Sequence, residues 1–395
     1  MMLPFHFARI PNIIFGAGTL AELYKLISQL GNKVLLVIGG SSLKDSGKLD
    51  EIERNLQDKN LTYWIVSVPS EPSPEIIDTH AQEFREKEVD VVVGIGGGSV
   101  TDAGKAISAM IPQEDSITNY LEGVGTKTHN GEKIPYIAVP TTSGTGSEAT
   151  KNAVISEIGP DGFKKSLRHD NLVPDYALVD AELMISCPPD ITAACGMDAF
   201  TQLLEAYTST AASPMTDALA ISGLKYMKNN IVPACTDKAN NINVRIALAY
   251  GSLLSGICLA NAGLGIIHGL ASPIGGFFDI PHGVVCGTLL AAATKMNVEK
   301  LKAQGPKGML GLKKYADVGA MFAGKEAIFE KDLIKYSTIL VDTLEVWTDT
   351  LHIDPLGIYG ITAKDVNKIV DHASLKNNPV PLGKEDIKKI VLSRL

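Results

Sequence analysis

The chain has 395 residues, of which 45% are hydrophobic and 20% charged, and its formal net charge is −8. Such a composition excludes a disordered or fibrous protein. The 36 Lys and Arg form no long run, which argues against nucleic acid or an anionic membrane as partner and leaves a small molecule. Length allows two domains. The five cysteines, Cys187, Cys195, Cys235, Cys258 and Cys286, are odd in number and contain no CxxC pair, so reduced thiols and a cytoplasmic setting are expected.

The N-terminal stretch MMLPFHFARIPNIIFG lacks the basic start, apolar core and small-residue cleavage site of a secretory leader. From Asn12 to Asp180, short β-branched runs alternate with helical patterns: NIIFG, TLAELYKLISQL, KVLLVIG, LDEIERNLQDKN, TYWIVSV, PEIIDTHAQEFREKE and VDVVVGIGG. That alternation predicts a parallel sheet covered by helices, a doubly wound, Rossmann-like dinucleotide-binding domain. After about Leu183 the strand-like runs stop, and the Pro188-Pro189 pair suits a helix start. The expected division is therefore an α/β domain over residues 1–185 and an all-α domain over 186–395. Within the latter, Ile246 to Phe278 carries no Asp, Glu, Lys or Arg and exceeds a membrane span. Its glycines, Asn261, His268 and Pro273 make buried core helices the better reading.

Two loops invite a ligand. The glycine-rich turn Gly94 to Ser99, with Gly96, Gly97, Gly98 and Ser99, follows the apolar strand VDVVV and precedes the helix SVTDAGKAISAM, where glycines let a backbone approach a phosphate and free N–H groups meet it. Taken alone, such a loop is equally well a tight strand-to-helix turn. Thr141, Thr142, Ser143 and Thr145 form a hydroxyl-rich turn after YIAVP, able to bond ribose, phosphate or amide, or simply to cap the next helix.

In the second half, GMDAFTQLLEAY (Gly196 to Tyr207) and HGLASPIGGFFDIPHG (His268 to Gly283) supply a carboxylate and two imidazoles from separate segments. Asp198 and Gln202 are four apart, on one face of a helix. The histidines are fourteen apart with Pro273 and Pro281 between them, implying two helices or helix ends. A lone His in an apolar stretch is usually a satisfied structural residue; here, oxygen and nitrogen donors without cysteine suit Fe(II) or Zn(II).

These segments, together with GIGGGSVTDAGK and PTTSGTGSEAT, resemble the iron-containing (group III) alcohol dehydrogenases over nearly the whole chain. The resemblance implies a dehydroquinate synthase-like fold and NAD(P)-dependent interconversion of an alcohol with its aldehyde or ketone, assisted by a divalent metal. It places the metal at Asp198, Gln202, His268 and His282. Gln202 stands where the family has histidine, and Ser272 departs likewise. A neutral amide is a weak ligand, although the related glycerol dehydrogenase branch manages with one Asp and two His.

The resemblance also assigns Gly96, Gly97, Gly98, Ser99, Asp102, Thr141, Thr142, Thr145, Asn152 and Lys164 to the cofactor, with Lys165 leaving the lysine register open by one. Members that favour NAD carry Asp where this chain has Gly40. Gly40, Ser41 and Ser42 instead resemble the loop of NADP-using members, so NADP is expected over NAD. Metal-independent carbonyl reduction by the same fold and a non-catalytic cofactor-binding protein are the rivals. A homo-oligomer, with a dimer first, follows from the commonness of two-fold symmetry.

Overall fold

The computed structural model describes residues 4–395; the first three residues of the segment read for a leader lie outside it. The first half builds β1 (Asn12–Gly16), α1 (Leu23–Leu30), β2 (Lys33–Ile38), α2 (Ser42–Asp45), α3 (Lys48–Asp58), β3 (Thr62–Ser67), α4 (Pro74–Arg85), β4 (Val91–Gly96), α5 (Gly98–Met110) and β5 (Tyr136–Pro140). It ends with β6 (Asn152–Glu157), β7 (Phe163–Arg168) and β8 (Tyr176–Asp180). Six strands pair in the order β1-β8-β5-β4-β2-β3, every pairing parallel. Every residue of β4, VVVGIG, is buried, as a strand covered on both faces requires. On one face Leu35, Val37 and Val92 pack with Ile77 and Ile107 of α4 and α5. On the other, Val34, Leu36 and Val93 pack with Ile27 and Ile52 of α1 and α3.

The pair β6–β7 is an antiparallel hairpin outside this sheet, and the alternation in the sequence did not reveal it. Its register puts Lys164 opposite Ser156 and Lys165 opposite Ile155. Successive strand side chains point to opposite faces, and Lys165 is the exposed one.

The second half is helical: α6 (Pro189–Thr208), α7 (Pro214–Met227), α8 (Ile231–Cys235), α9 (Ile242–Ala262), α10 (Ile266–Phe277), α11 (His282–Ala303), α12 (Met309–Phe322), α13 (Leu333–Thr350), α14 (Val366–His372) and α15 (Lys384–Leu392). As the Pro pair suggested, α6 starts at Pro189 with proline in its first turn, where its missing N–H costs nothing. Among the described residues one helix, α9, is long and apolar enough to cross a membrane, and 72% of its apolar window is buried within the molecule. Pro273 sits inside α10 and cannot bond the carbonyl four residues back. The Ser374 N–H takes that Gly269 carbonyl instead, at 3.4 Å.

Candidate active site

After β2 the chain runs to the edge strand β3 and returns on the other side of β2 to form β4, so the strand order reverses between β2 and β4. Loops at the carboxyl ends of strands part at such a point and leave a crevice for ligands. The loops here are 39–42 and 97–99, the two glycine-bearing stretches already singled out. Gly98 cannot carry a side chain, because a Cβ there would lie 2.6 Å from Thr145 Cγ2. At Gly97 the nearest atom to an added Cβ would be Thr142, at 3.5 Å. The glycine loop and hydroxyl turn therefore face each other, with α5 directing its free N–H groups between them.

Gly98, Ser99, Asp102, Thr145, Asn152 and Lys164 line a cleft of about 1110 Å³, whose opposite wall includes Asp198, Gln202, His268, Ser272 and His282. Gly96, Gly97, Thr141 and Thr142 lie near these lining residues in the chain without bordering the cleft themselves, while Gly40, Ser41 and Ser42 are exposed beyond β2. Nothing lies within 4 Å of the position a Gly40 Cβ would take, and Ser41 Oγ donates to the Asp45 carboxylate at 2.5 Å.

Two polar groups on the cofactor side do structural service. Asp102 accepts from Ser147 Oγ and from the Val154 N–H at 3.0 Å, tying α5 to the hydroxyl turn and the hairpin. Burial raises its pKa against the opposing charge of Lys105. Lys164 Nζ pairs with Glu71 at 2.8 Å, and Glu71 also accepts from Ser99 Oγ at 3.3 Å. Ser272 Oγ donates to the Lys164 carbonyl at 3.0 Å, so this departure from the family pattern joins α10 to the hairpin.

On the helical wall, Asp198 sits mid-way along α6 and is 1% exposed. His268 lies in the first turn of α10 and His282 opens α11. Gly283 permits the latter, since a Cβ there would come within 2.4 Å of the Ala194 carbonyl on α6. Asp198 Oδ1 lies 3.3 Å from His268 Nε2 and 3.8 Å from His282 Nε2. Glu205, a turn beyond Gln202 on α6, accepts from the Ile267 N–H at 2.7 Å and contacts His268 Nδ1 at 2.7 Å. It satisfies a free N–H at the start of α10 and turns the other ring nitrogen of His268 toward Asp198, as carboxylates do behind metal-binding histidines.

Gln202 takes a different position from the ligand expected of it. Its amide nitrogen donates to Asp198 Oδ2 at 3.2 Å and its oxygen accepts from Ser255 Oγ at 3.1 Å. The structure also brings a cysteine to this cluster. Cys286 Sγ lies 3.6 Å from both His268 Nε2 and His282 Nε2, and donors from Asp198, His268, His282 and Cys286 fall within 4.8 Å of one another. Sequence reasoning missed both Cys286 and Glu205. Cys286 is four residues after His282, and Glu205 is seven after Asp198, so helical spacing could have found them.

Charge in this cluster suits a cation. Burial alone would raise the Asp198 carboxyl, but the charge of His282 and the hydrogen bond from His268 hold it at about 2. Burial pushes His282 down to about 4 despite the pull of Asp198. It pushes the Cys286 thiol up to about 12. Burial would lower His268, but the neighbouring Cys286 and the hydrogen bonds with Asp198 and Glu205 hold it well above its usual range. Among the described residues His282 Nδ1 has no partner. An Asp and two His with an oriented ring fit a divalent ion.

A Rossmann-like sheet facing a helical domain across a cofactor-sized cleft, with oxygen and nitrogen donors on the far wall, defines a two-domain nucleotide-dependent oxidoreductase. Residues 11–181 match the family described as iron-containing alcohol dehydrogenase, and residues 192–395 match the C-terminal part of the Fe-containing alcohol dehydrogenase family. The chain belongs to this family, and its members' reaction, NAD(P)-dependent interconversion of an alcohol and its carbonyl compound, is its own. It is 32% identical over 382 residues to long-chain-alcohol dehydrogenase 1 of Geobacillus thermodenitrificans, covering 95% of this chain and 93% of that one. It is 30% identical to NADPH-dependent butanol dehydrogenase of Clostridium saccharobutylicum, covering 96% and 95%. The crystal structure of an archaeal halo-thermophilic alcohol dehydrogenase from a Red Sea brine pool superimposes with a TM-score of 0.89 at 26% identity, covering 100% of this chain and 99% of that one.

Proposed function

We propose that this alcohol dehydrogenase uses NADP(H) in preference to NAD(H) and holds a divalent ion, Fe(II) or Zn(II), through Asp198, His268 and His282. The carrying observation is that these three side chains and the glycine loop border one cleft of about 1110 Å³. When bound, the ion supplies a Lewis acid that polarises the oxygen of an alcohol or carbonyl substrate. Glu205 acts as a positioning residue, holding His268 in one orientation. Gly97 and the α5 N-terminus receive the diphosphate, and Thr142 and Thr145 offer hydroxyls beside it. Leu259, Leu264, Val284 and Ile353 also line the cleft and supply apolar surface for a small aliphatic alcohol, of the kind on which the butanol and long-chain-alcohol relatives are named.

The NADP preference rests on Gly40, where an aspartate would repel a 2′-phosphate. In this turn Ser41 Oγ donates to the Asp45 carboxylate. The domain division at 185/186, a homodimer and a cytoplasmic setting complete the proposal. Metal-independent carbonyl reduction is the second reading, favoured by the Gln202 amide that already donates to Asp198. Turnover of NADPH and NADH against a panel of primary alcohols and aldehydes tests the proposal. Aldehyde reduction faster with NADPH supports it, whereas tight cofactor binding without turnover of any panel member favours a non-catalytic role.

A further inference from the structure

We propose that Cys286 supplies the fourth protein ligand of the metal site, in place of the side chain at position 202. This rests on the metal reading above and adds to it a sulfur donor that changes which ion the site prefers. Three observations carry it.

The first is geometric. A tetrahedral site with metal–nitrogen bonds of about 2.0 Å and metal–sulfur bonds of about 2.3 Å has nitrogen–sulfur edges of about 3.6 Å and nitrogen–oxygen edges of about 3.4 Å. Cys286 Sγ stands 3.6 Å from each histidine Nε2, and Asp198 Oδ1 stands 3.3 and 3.8 Å from the same two atoms. These four edges match such a tetrahedron, and all four donor atoms lie within 4.8 Å of one another.

The second concerns Gln202. Its oxygen is engaged by Ser255 Oγ, which also reaches the Gly144 carbonyl at 3.4 Å. Its nitrogen is a donor and is turned toward Asp198. Position 202 therefore braces the carboxylate and leaves the fourth corner open.

The third is local sequence. Cys286 follows His282 by four residues on α11, so one helix face presents both donors side by side. Ligation replaces the S–H bond with a metal–sulfur bond, and the thiol proton leaves to solvent. A thiolate makes the site softer and shifts its preference from Fe(II) toward Zn(II) and Co(II).

The test is the absorption spectrum of the full chain, stripped of metal and reconstituted with Co(II). The expected spectrum shows a near-ultraviolet thiolate-to-cobalt charge-transfer band beside the visible bands of a tetrahedral ion. Cys286→Ser removes the charge-transfer band and weakens Co(II) binding by more than the roughly 10- to 100-fold that loss of an outer partner costs. Cys195→Ser, which changes a thiol that lines the cleft outside the donor cluster, leaves the band intact. Cys286→Ser combined with Gln202→His regains Co(II) binding without the band. Visible bands with no charge-transfer band in the unsubstituted protein overturn the role of Cys286 while leaving a metal site standing. Failure to take up Co(II) at all overturns both. If Cys286→Ser does not fold, the spectrum of the unsubstituted protein still decides.

Discussion

The two walls of the cleft recognise their ligands in different ways. On the sheet side the contacts come largely from backbone, at a glycine loop and a helix N-terminus, so what matters is space and the direction of N–H groups. On the helical side they come from side chains on α6, α10 and α11 that must converge on one point. A backbone site is damaged by adding atoms. A side-chain site is damaged by removing them.

Removing ligands should give the largest effects. His268→Ala and His282→Ala are each expected to abolish metal retention and to lower the rate of aldehyde reduction by about 100-fold or more, the scale seen when one group stabilising developing charge is lost. Elemental analysis and steady-state kinetics read both. Retention of a full equivalent of metal by either variant would remove that histidine from the set.

Next comes the support behind a ligand. Glu205→Gln keeps the shape but loses the charge that holds His268, and metal affinity should fall roughly 10- to 100-fold. Isothermal titration with Zn(II) measures this, and unchanged affinity would show that Glu205 serves only the start of α10.

On the backbone wall the direction of change reverses. Gly97→Val has room against Thr142 and should weaken dinucleotide binding by roughly 10-fold, about 1.4 kcal/mol, without lowering the melting temperature. Gly98→Val must displace Thr145 and should lower both. Nicotinamide fluorescence and thermal unfolding separate the two, and equal cofactor affinity in folded Gly97→Val would reduce this loop to a turn.

The smallest change is expected at the exposed rim. A Cβ at Gly40 meets none of the described residues within 4 Å, so for Gly40→Asp stability should hold while the ratio of NADH to NADPH affinity rises several-fold through repulsion of the 2′-phosphate. A ratio that does not move would place cofactor choice elsewhere, with Asp45 the next residue to change.

What was legible in the sequence follows the same division. Strand and helix alternation through Asp180 shows because buried parallel strands read as continuous β-branched runs, and the glycine loop shows because a Cβ at Gly96 or Gly98 would come within 2.6 Å of a neighbouring side chain. The β6–β7 hairpin was hidden by the charges in FKKSLR, although Pro160, Asp161 and Gly162 are a turn signal. Its register is what separates Lys164 from Lys165. Asp198, His268 and His282 stood out by type, whereas the contacts of Gln202, Glu205 and Cys286 depend on how three helices cross, which no local pattern encodes.

The central claim is that a divalent ion at Asp198, His268 and His282 takes part in hydride transfer. The most direct measurement is the rate of NADPH-dependent aldehyde reduction by chelator-stripped protein, before and after adding back Zn(II) or Fe(II), with metal content determined on the same samples. The account predicts that activity disappears with the metal and returns with one equivalent per chain. Undiminished activity in protein shown to hold no metal would contradict it, and would leave polarisation of the substrate to hydrogen bonds from the protein alone.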